Sequence, residues 1–248
     1  MAESKDIPDR PRVLVIVPAH NEAGNISAVL DDLAANAPWA EVVVIDDASD
    51  DATAAIAAKH GITVLALPYN LGVGGAVQTG YIYARDNGYE VAVQCDGDGQ
   101  HHASLIGSLV DPIGTDRADL VVGSRIRAET PYRFHPLRYV GSRLLSAFVS
   151  VITRQRITDP TSGFRAASRR CIRLFAEHYP QPYLADTAEA LVWVARQKMK
   201  IVEIPTTMRQ RAAGKSATGA LRGMVHTLRI VLAILVDCLE PTLKEEEL

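Results

Sequence analysis

Two aspartates one residue apart, Asp96-Gly97-Asp98, follow directly on the apolar run Val91–Val93 and its extension to Cys95. The glycines on either side of Asp98 let the backbone turn sharply and come close to a ligand. With Gln100 just beyond, the turn offers only oxygen donors. Hard divalent cations such as Mg²⁺ or Mn²⁺ prefer that set, and they often bring a phosphate with them. The plain alternative is a surface turn, since Asp and Gly are common turn formers. Placement at the end of a buried strand weighs against it. His101 and His102 come next in the chain; they are read as supporting residues rather than metal ligands.

A second acidic cluster, Asp46, Asp47, Asp50 and Asp51, puts four carboxylates within six residues. Mutual repulsion makes that costly unless some of them have partners. Asp50 or Asp51 is placed to cap the helix that follows, where the helix dipole favours an anion. Asp46 or Asp47, at a strand end, is left to accept hydrogen bonds from a base or ribose, with Asp47 favoured. The run Gly72-Val-Gly74-Gly75 follows a strand but lacks the G-x-G-x-x-G spacing of a dinucleotide fingerprint. Arg125, Arg211 and Lys215 are candidates for diphosphate oxygens or an anionic acceptor. Arg127, Arg133 and Arg138 are read as solvated surface charge.

These residues need elements to bring them together. Val13–Val17 is a continuous apolar run, as in a strand buried on both faces. Further strands are predicted at Glu41–Asp46, Thr63–Leu67, Val91–Cys95, Asp119–Val122 and Ile201–Pro205. Helices fall between them, the first with Ile26, Val29, Leu30 and Leu33 on one face. Such alternation means an α/β fold, a parallel sheet with helices on both faces. Ligands in such sheets bind at the carboxyl ends of the strands, where each polar loop named above lies. In the second half the spacing predicts a turn at Asp159–Arg165, then helices at Ser168–His178 and Thr187–Lys198.

The chain of 248 residues is long enough for a sizeable core. Cys95, Cys171 and Cys238 show neither disulfide nor metal-ligand spacing, so a reducing compartment is the default. The N-terminus lacks the apolar core of a signal peptide. The net charge of −3 conceals an asymmetry: residues 1–124 carry 6 Lys and Arg against 18 Asp and Glu, and residues 125–229 carry 19 against 6. That pattern suits a metal site facing an anionic ligand, or two halves that attract each other. Near the end, residues 221–239 read as an amphipathic helix whose longest apolar run, Ile230–Val236, is far shorter than the ~20 residues needed to span a bilayer. Such a helix lies in a membrane interface, docks on a partner or packs on the core. The expected division is therefore a catalytic domain, 1–219, and a C-terminal helix with an acidic tail, 220–248.

Taken in order, these motifs resemble one family. Ile16-Val-Pro18-Ala-His-Asn21-Glu22, Val44-Ile-Asp46-Asp47-Ala-Ser-Asp50-Asp51, Asn70-Leu-Gly72-Val-Gly74 and Cys95-Asp96-Gly-Asp98-Gly-Gln100-His101 look like a family 2 inverting glycosyltransferase with a GT-A fold. Val122-Gly-Ser-Arg125, Asp159-Pro-Thr-Ser-Gly-Phe-Arg165, Glu203-Ile-Pro205 and Arg211-Ala-Ala-Gly-Lys215-Ser216 are similar to the dolichol- or polyprenyl-phosphate sugar transferase branch. The resemblance implies a Rossmann-like, mostly parallel sheet, a UDP- or GDP-sugar donor, and Mg²⁺ or Mn²⁺. It implies Pro18, Asn21, Glu22, Asp47, Gly72, Asp96 and Arg125 around the nucleotide-sugar, and Asp96, Asp98 and Gln100 on the metal. Arg125, Arg211, Lys215 and Ser216 would meet phosphates, and Asp159 would lie near the transferred sugar.

The expected reaction is a single displacement with inversion onto a polyprenyl phosphate at the cytosolic membrane face, assisted by Asp98. A soluble enzyme acting on a glycan hydroxyl is the alternative, and it would need a carboxylate base, Asp159 first and Glu189 second. A third possibility is an idle domain that binds a nucleotide-sugar or a membrane partner. Many relatives continue into transmembrane helices. Membrane contact here is therefore expected to be peripheral, to come from a separate membrane subunit, or to be absent; the partner expected is that membrane subunit or a second copy in a homo-oligomer.

Overall fold

Strand β1, Val13–Ala19, is buried at all seven positions. Its apolar run has no polar face, so it settles where helices cover both sides. In this computed structural model, residues 11–128, 136–180 and 186–209 are described, with the helical residues 231, 232, 234 and 235. β1 lies between two parallel neighbours, β2 (Glu41–Asp46) and β4 (Val91–Gln94). β3 (Thr63–Ala66) extends the sheet from β2. Beyond β4 come β6 (Arg165–Ser168), β5 (Leu120–Ser124) and β7 (Ile201–Pro205), giving the order β3-β2-β1-β4-β6-β5-β7.

Alternation along β1 feeds two cores. Leu14 and Ile16 join the core built with helices α3 (Gly72–Asp86), α5 (Pro136–Thr153), α6 (Arg169–Glu177) and α7 (Asp186–Arg196). Val13, Val15 and Val17 join the other, with α1 (Ile26–Asn36), α2 (Thr53–Lys59) and α4 (Ile106–Gly114). Each such side chain stabilises the fold by roughly 1.5–3 kcal/mol relative to exposure. The four residues predicted for the inner face of α1 are all buried. α3 lies close over β1. A Cβ on Gly80 would fall 2.2 Å from Ile16 Cγ2, so only glycine permits that approach.

The sheet is mostly parallel, as expected, and is mixed only through β6, which runs antiparallel to both β4 and β5. Arg165-Ala-Ala-Ser168 has no β-branched or aromatic residue to announce a strand. It becomes one because the gap between β4 and β5 needs a backbone partner, and Ala166 and Ala167 fit there fully buried. The glycine run 72–75 forms the first turn of α3 itself.

The predicted helix 221–239 lies mostly outside the described residues, as does the boundary at 219/220. Within it, Ile234 is fully buried and Val231 packs against the α3 side of the core, while Leu232 and Leu235 are exposed. Among the described residues, no helix is long and apolar enough to cross a membrane.

Candidate active site

The carboxyl ends of β1 and β2 are laced together. After β1 the chain turns through Asn21, whose φ is 55°. Asn21 N–H donates to Ser49 Oγ at 2.9 Å, and Asn21 Oδ1 accepts from Asp50 N–H at 2.9 Å. Glu22 N–H donates to Thr53 Oγ1 at 2.9 Å, and Glu22 Oε2 accepts from Asn25 Nδ2 at 2.6 Å. Asp51 knots this loop by accepting from Ala23 N–H, Thr53 N–H and the Thr53 hydroxyl. Its slight burial opposes ionisation, but the donors from Thr53 and Ala23 outweigh that and hold the carboxyl below the ordinary range. Asp51, rather than Asp50, thus satisfies the first N–H of α2.

Asp46 and Asp47 are both buried. Asp47 Oδ1 accepts from Leu71 N–H at 2.7 Å, and the Asp47 carbonyl lies 2.8 Å from His20 Nδ1. Asp46 Oδ1 has no hydrogen-bond partner among the described residues. An uncommitted buried oxygen therefore lies on Asp46, beside the Asp47 that sequence reasoning favoured. Pro18 is buried inside β1, and its carbonyl accepts from Gly97 N–H at 3.2 Å. Gly72 opens α3 with φ 76°, its N–H bonded to Asn70 Oδ1.

At the end of β4, Asp96 is held from behind. Gln94, only 1 % exposed, donates from Nε2 to Asp96 Oδ1 at 3.1 Å. Asp96 N–H donates to His101 Nδ1 at 3.1 Å. His101 is buried and stacked on Phe164, with ring centroids 4.6 Å apart. This is the supporting role expected of that histidine. A Cβ on Gly163 would lie 3.2 and 3.4 Å from the two Asp96 oxygens and 3.0 Å from Gln94 Nε2, so the backbone of 163 is pressed against the carboxylate. Asp98 Oδ1 accepts from Gln100 N–H at 3.0 Å.

Gln100 also ties to a second segment. Its Nε2 donates to the Arg209 carbonyl at 3.3 Å, and its own carbonyl accepts from Arg209 N–H at 2.8 Å. The Arg209 guanidinium in turn pairs with Asp32 of α1 at 2.9 and 3.3 Å. Burial raises the cost of ionising Asp32, yet the bonds from Arg209 and Ala103 N–H more than offset it and hold the carboxyl below its usual value. Gln100 thereby joins the Asp96–Asp98 turn to the chain leaving β7. Among the described residues, no three His, Cys, Asp or Glu side chains converge as a metal cage. Two carboxylates on one turn still fit a hard divalent cation that takes its other ligands from water and a bound phosphate.

Across β6, the end of β5 carries Arg125. Its backbone N–H and Nε donate to Asp159 Oδ2 at 3.0 and 2.7 Å, and Nη2 donates to Asp159 Oδ1 at 2.7 Å. Nη2 also reaches Thr161 Oγ1 at 2.8 Å. The Asp159 side chain is 0 % exposed and that of Arg125 is 16 % exposed. Both oxygens of Asp159 are therefore engaged by a cation, which does not suit the general base offered for it from sequence. Glu189, the second candidate base, is buried on α7. Arg127 donates from Nη1 to the Glu203 carbonyl at 2.8 Å, a structural tie in place of the solvated charge expected. Arg133, Arg211, Lys215 and Ser216 lie outside the described residues.

Sequence reasoning missed Gln94, Gly163 and Glu203 as parts of the site. The first and last carried a signal: each is a polar residue inside an otherwise apolar strand, where an unpaired polar group is costly. The described site is thus acidic at the ends of β1, β2 and β4, while beyond β6 Arg125 and Arg127 stand among the carboxylates Asp159 and Glu203.

The profile of glycosyl transferase family 2 matches residues 14–175. A UDP-N-acetylglucosamine–dolichyl-phosphate N-acetylglucosaminyltransferase of Methanococcus voltae is 31 % identical over 211 residues, which is 78 % of this chain and 84 % of that protein. An undecaprenyl-phosphate mannosyltransferase of Micrococcus luteus is 30 % identical over 212 residues, 83 % of this chain and 86 % of that one. Glucosyl-3-phosphoglycerate synthase of Mycobacterium tuberculosis, solved with Mn²⁺, UDP and glucosyl-3-phosphoglycerate, superimposes with a TM-score of 0.71. It shares 22 % identity, and the match covers 92 % of this chain and 79 % of that chain, so the likeness is one of fold. With its profile match, its relatives and this mixed seven-stranded architecture, the chain belongs to glycosyl transferase family 2.

Proposed function

We propose that this glycosyltransferase moves a sugar from a UDP- or GDP-sugar, with inversion, onto a polyprenyl or dolichyl phosphate at the cytosolic face of a membrane. The observation that carries the reading is the engagement of both Asp159 oxygens by Arg125. That arrangement offers a fixed cation and withholds a free base. It suits an acceptor that is already an anion. A phosphomonoester, whose second pKa is about 6, is mostly ionised at pH 7 and needs positioning more than proton abstraction. The two relatives described above act, by name, on dolichyl and undecaprenyl phosphate.

In this reading Asp96 and Asp98 would hold a Mg²⁺ or Mn²⁺ ion, which when bound supplies Lewis-acid neutralisation of diphosphate charge. Gln94, His101 and Gly163 keep Asp96 in place for that task. Gln100 would offer its Oε1 as a third oxygen, its Nε2 being held by the Arg209 carbonyl. Arg125 meets the diphosphate oxygens as the acceptor oxygen attacks the anomeric carbon from the opposite face. The glycosidic C–O bond breaks and its electron pair leaves on the nucleotide. Arg211, Lys215 and Ser216 receive the acceptor phosphate. Asp46 joins Asp47 as acceptor for base or ribose, while Pro18, Asn21, Glu22 and Gly72 shape the loops around the nucleoside. Residues 220–248 give peripheral membrane or partner contact.

The test is incubation of the full chain with a panel of UDP- and GDP-sugars, Mn²⁺ and a short polyprenyl phosphate. A glycolipid product with stoichiometric nucleotide release is expected. Turnover on a glycan hydroxyl with no glycolipid would overturn the acceptor, and silence across the panel would favour a binding domain.

A further inference from the structure

We infer that Glu203 is a positioning residue for Arg125, acting through Asp159; the inference rests on the reading that Arg125 meets donor phosphate. Glu203 sits on β7 and is 7 % exposed. A buried carboxylate is costly unless its lone pairs are filled. Here the donors come from one place. Oε1 accepts from Thr158 N–H at 2.8 Å and Asp159 N–H at 2.9 Å, and Oε2 accepts from the Thr158 hydroxyl at 2.8 Å. That hydroxyl also lies 2.8 Å from Ser124 Oγ, next to Arg125 in the chain. Glu203 therefore grips the two residues that carry and precede the Arg125 partner.

The result is a relay across three segments. β7 fixes Thr158–Asp159 by backbone N–H groups, and Asp159 fixes both the backbone and the guanidinium of Arg125. Arginine is long and rotamer-rich, and pre-set orientation keeps it from losing that freedom at the moment of binding. A carboxylate serving only to fill a core would gain nothing from aiming all its bonds at the residues behind one arginine. Backbone amides that lose such an acceptor would let the 158–161 turn relax, and the Arg125 fork would move with it.

The test is a double-mutant cycle in the full chain, read as kcat and KM on the sugar nucleotide it accepts and as UDP affinity by calorimetry with Mn²⁺. Glu203→Ala should lower kcat/KM by about tenfold or more in the native background, and by less than about twofold when Arg125 is already Ala, because residues in one network are not additive. UDP affinity should weaken in parallel. Glu203→Gln should recover most of the loss, since an amide oxygen can accept both backbone N–H groups while the Thr158 hydroxyl turns to Ser124. If Glu203→Ala does not fold, Glu203→Asp, which withdraws the carboxylate by one methylene, carries the same cycle. Equal factors in both backgrounds would mean a merely structural carboxylate and overturn the inference. So would a loss for Arg125→Ala with none for Glu203→Ala. No effect of Arg125→Ala would instead sink the phosphate reading, and this inference with it.

Discussion

Asp159→Asn separates the two roles that a carboxylate at this position can have. Asparagine matches aspartate in shape, so a free general base would be replaced with little effect on stability and a large effect on turnover. Asp159 instead accepts three bonds from Arg125, at 3.0, 2.7 and 2.7 Å, in a site where its side chain has no exposure. Asn can keep one oxygen facing the Arg125 N–H and Nε. Its NH₂ must then face Nη2, donor against donor, with the guanidinium charge uncompensated. Removing one partner of a fully buried ion pair costs about 3–5 kcal/mol. Arg125 is partly exposed and water can recover some of its solvation, so about 2–4 kcal/mol is the expected loss. At about 2–4 °C per kcal/mol for a domain of this size, Tm should fall by roughly 5–15 °C. Urea denaturation followed by circular dichroism checks the free energy, and a thermal scan checks the midpoint. An unchanged midpoint alongside abolished turnover would refute the clamp and restore Asp159 as a base.

Gly163→Ala presses a methyl group between Gln94 and Asp96, and buried Gln94 cannot retreat; Mn²⁺-dependent UDP affinity should fall by about tenfold, as for other residues that support a ligand, with unchanged calorimetry counting against it. Gly80→Ala should destabilise the chain by about 2 kcal/mol, because a contact 2.2 Å from buried Ile16 outweighs the gain of about 1 kcal/mol in helix propensity. A denaturation midpoint at or above that of the native chain would show that α3 can lift from β1. The depressed Asp32 carboxyl contributes stability that is complete above its unfolded value near ~3.9 and is lost as pH falls through the lower folded value. Asp32→Asn should therefore lower stability at neutral pH by less than about 1 kcal/mol, Arg209 being partly exposed, and flatten the acid limb of the pH profile below about pH 4. Parallel acid limbs for the two proteins would remove the Arg209 tie.

Local order settled much of this protein in advance. The runs at Val13–Val17 and Val91–Val93 have no polar face, so only a sheet covered on both sides can hold them. The spacing of Ile26, Val29, Leu30 and Leu33 admits only a helix packed on one side. Asp96-Gly-Asp98 stood out as a turn because two carboxylates and a glycine close a buried strand, and the parallel pairing puts that strand end beside the end of β1. Tertiary structure decided what depends on distant partners. Arg165–Ser168 became a strand because a slot was open between β4 and β5, not because its own residues prefer one. Asp159 meets Arg125 across 34 positions and Glu203 across 44; the first pairing follows from β6 lying beside β5, the second from β7 lying on the other side of β5. No local preference encodes that adjacency. A carboxylate's chemistry is set by the donors that surround it, and for Asp159 and Glu203 those donors arrive only when the far half of the sheet has closed.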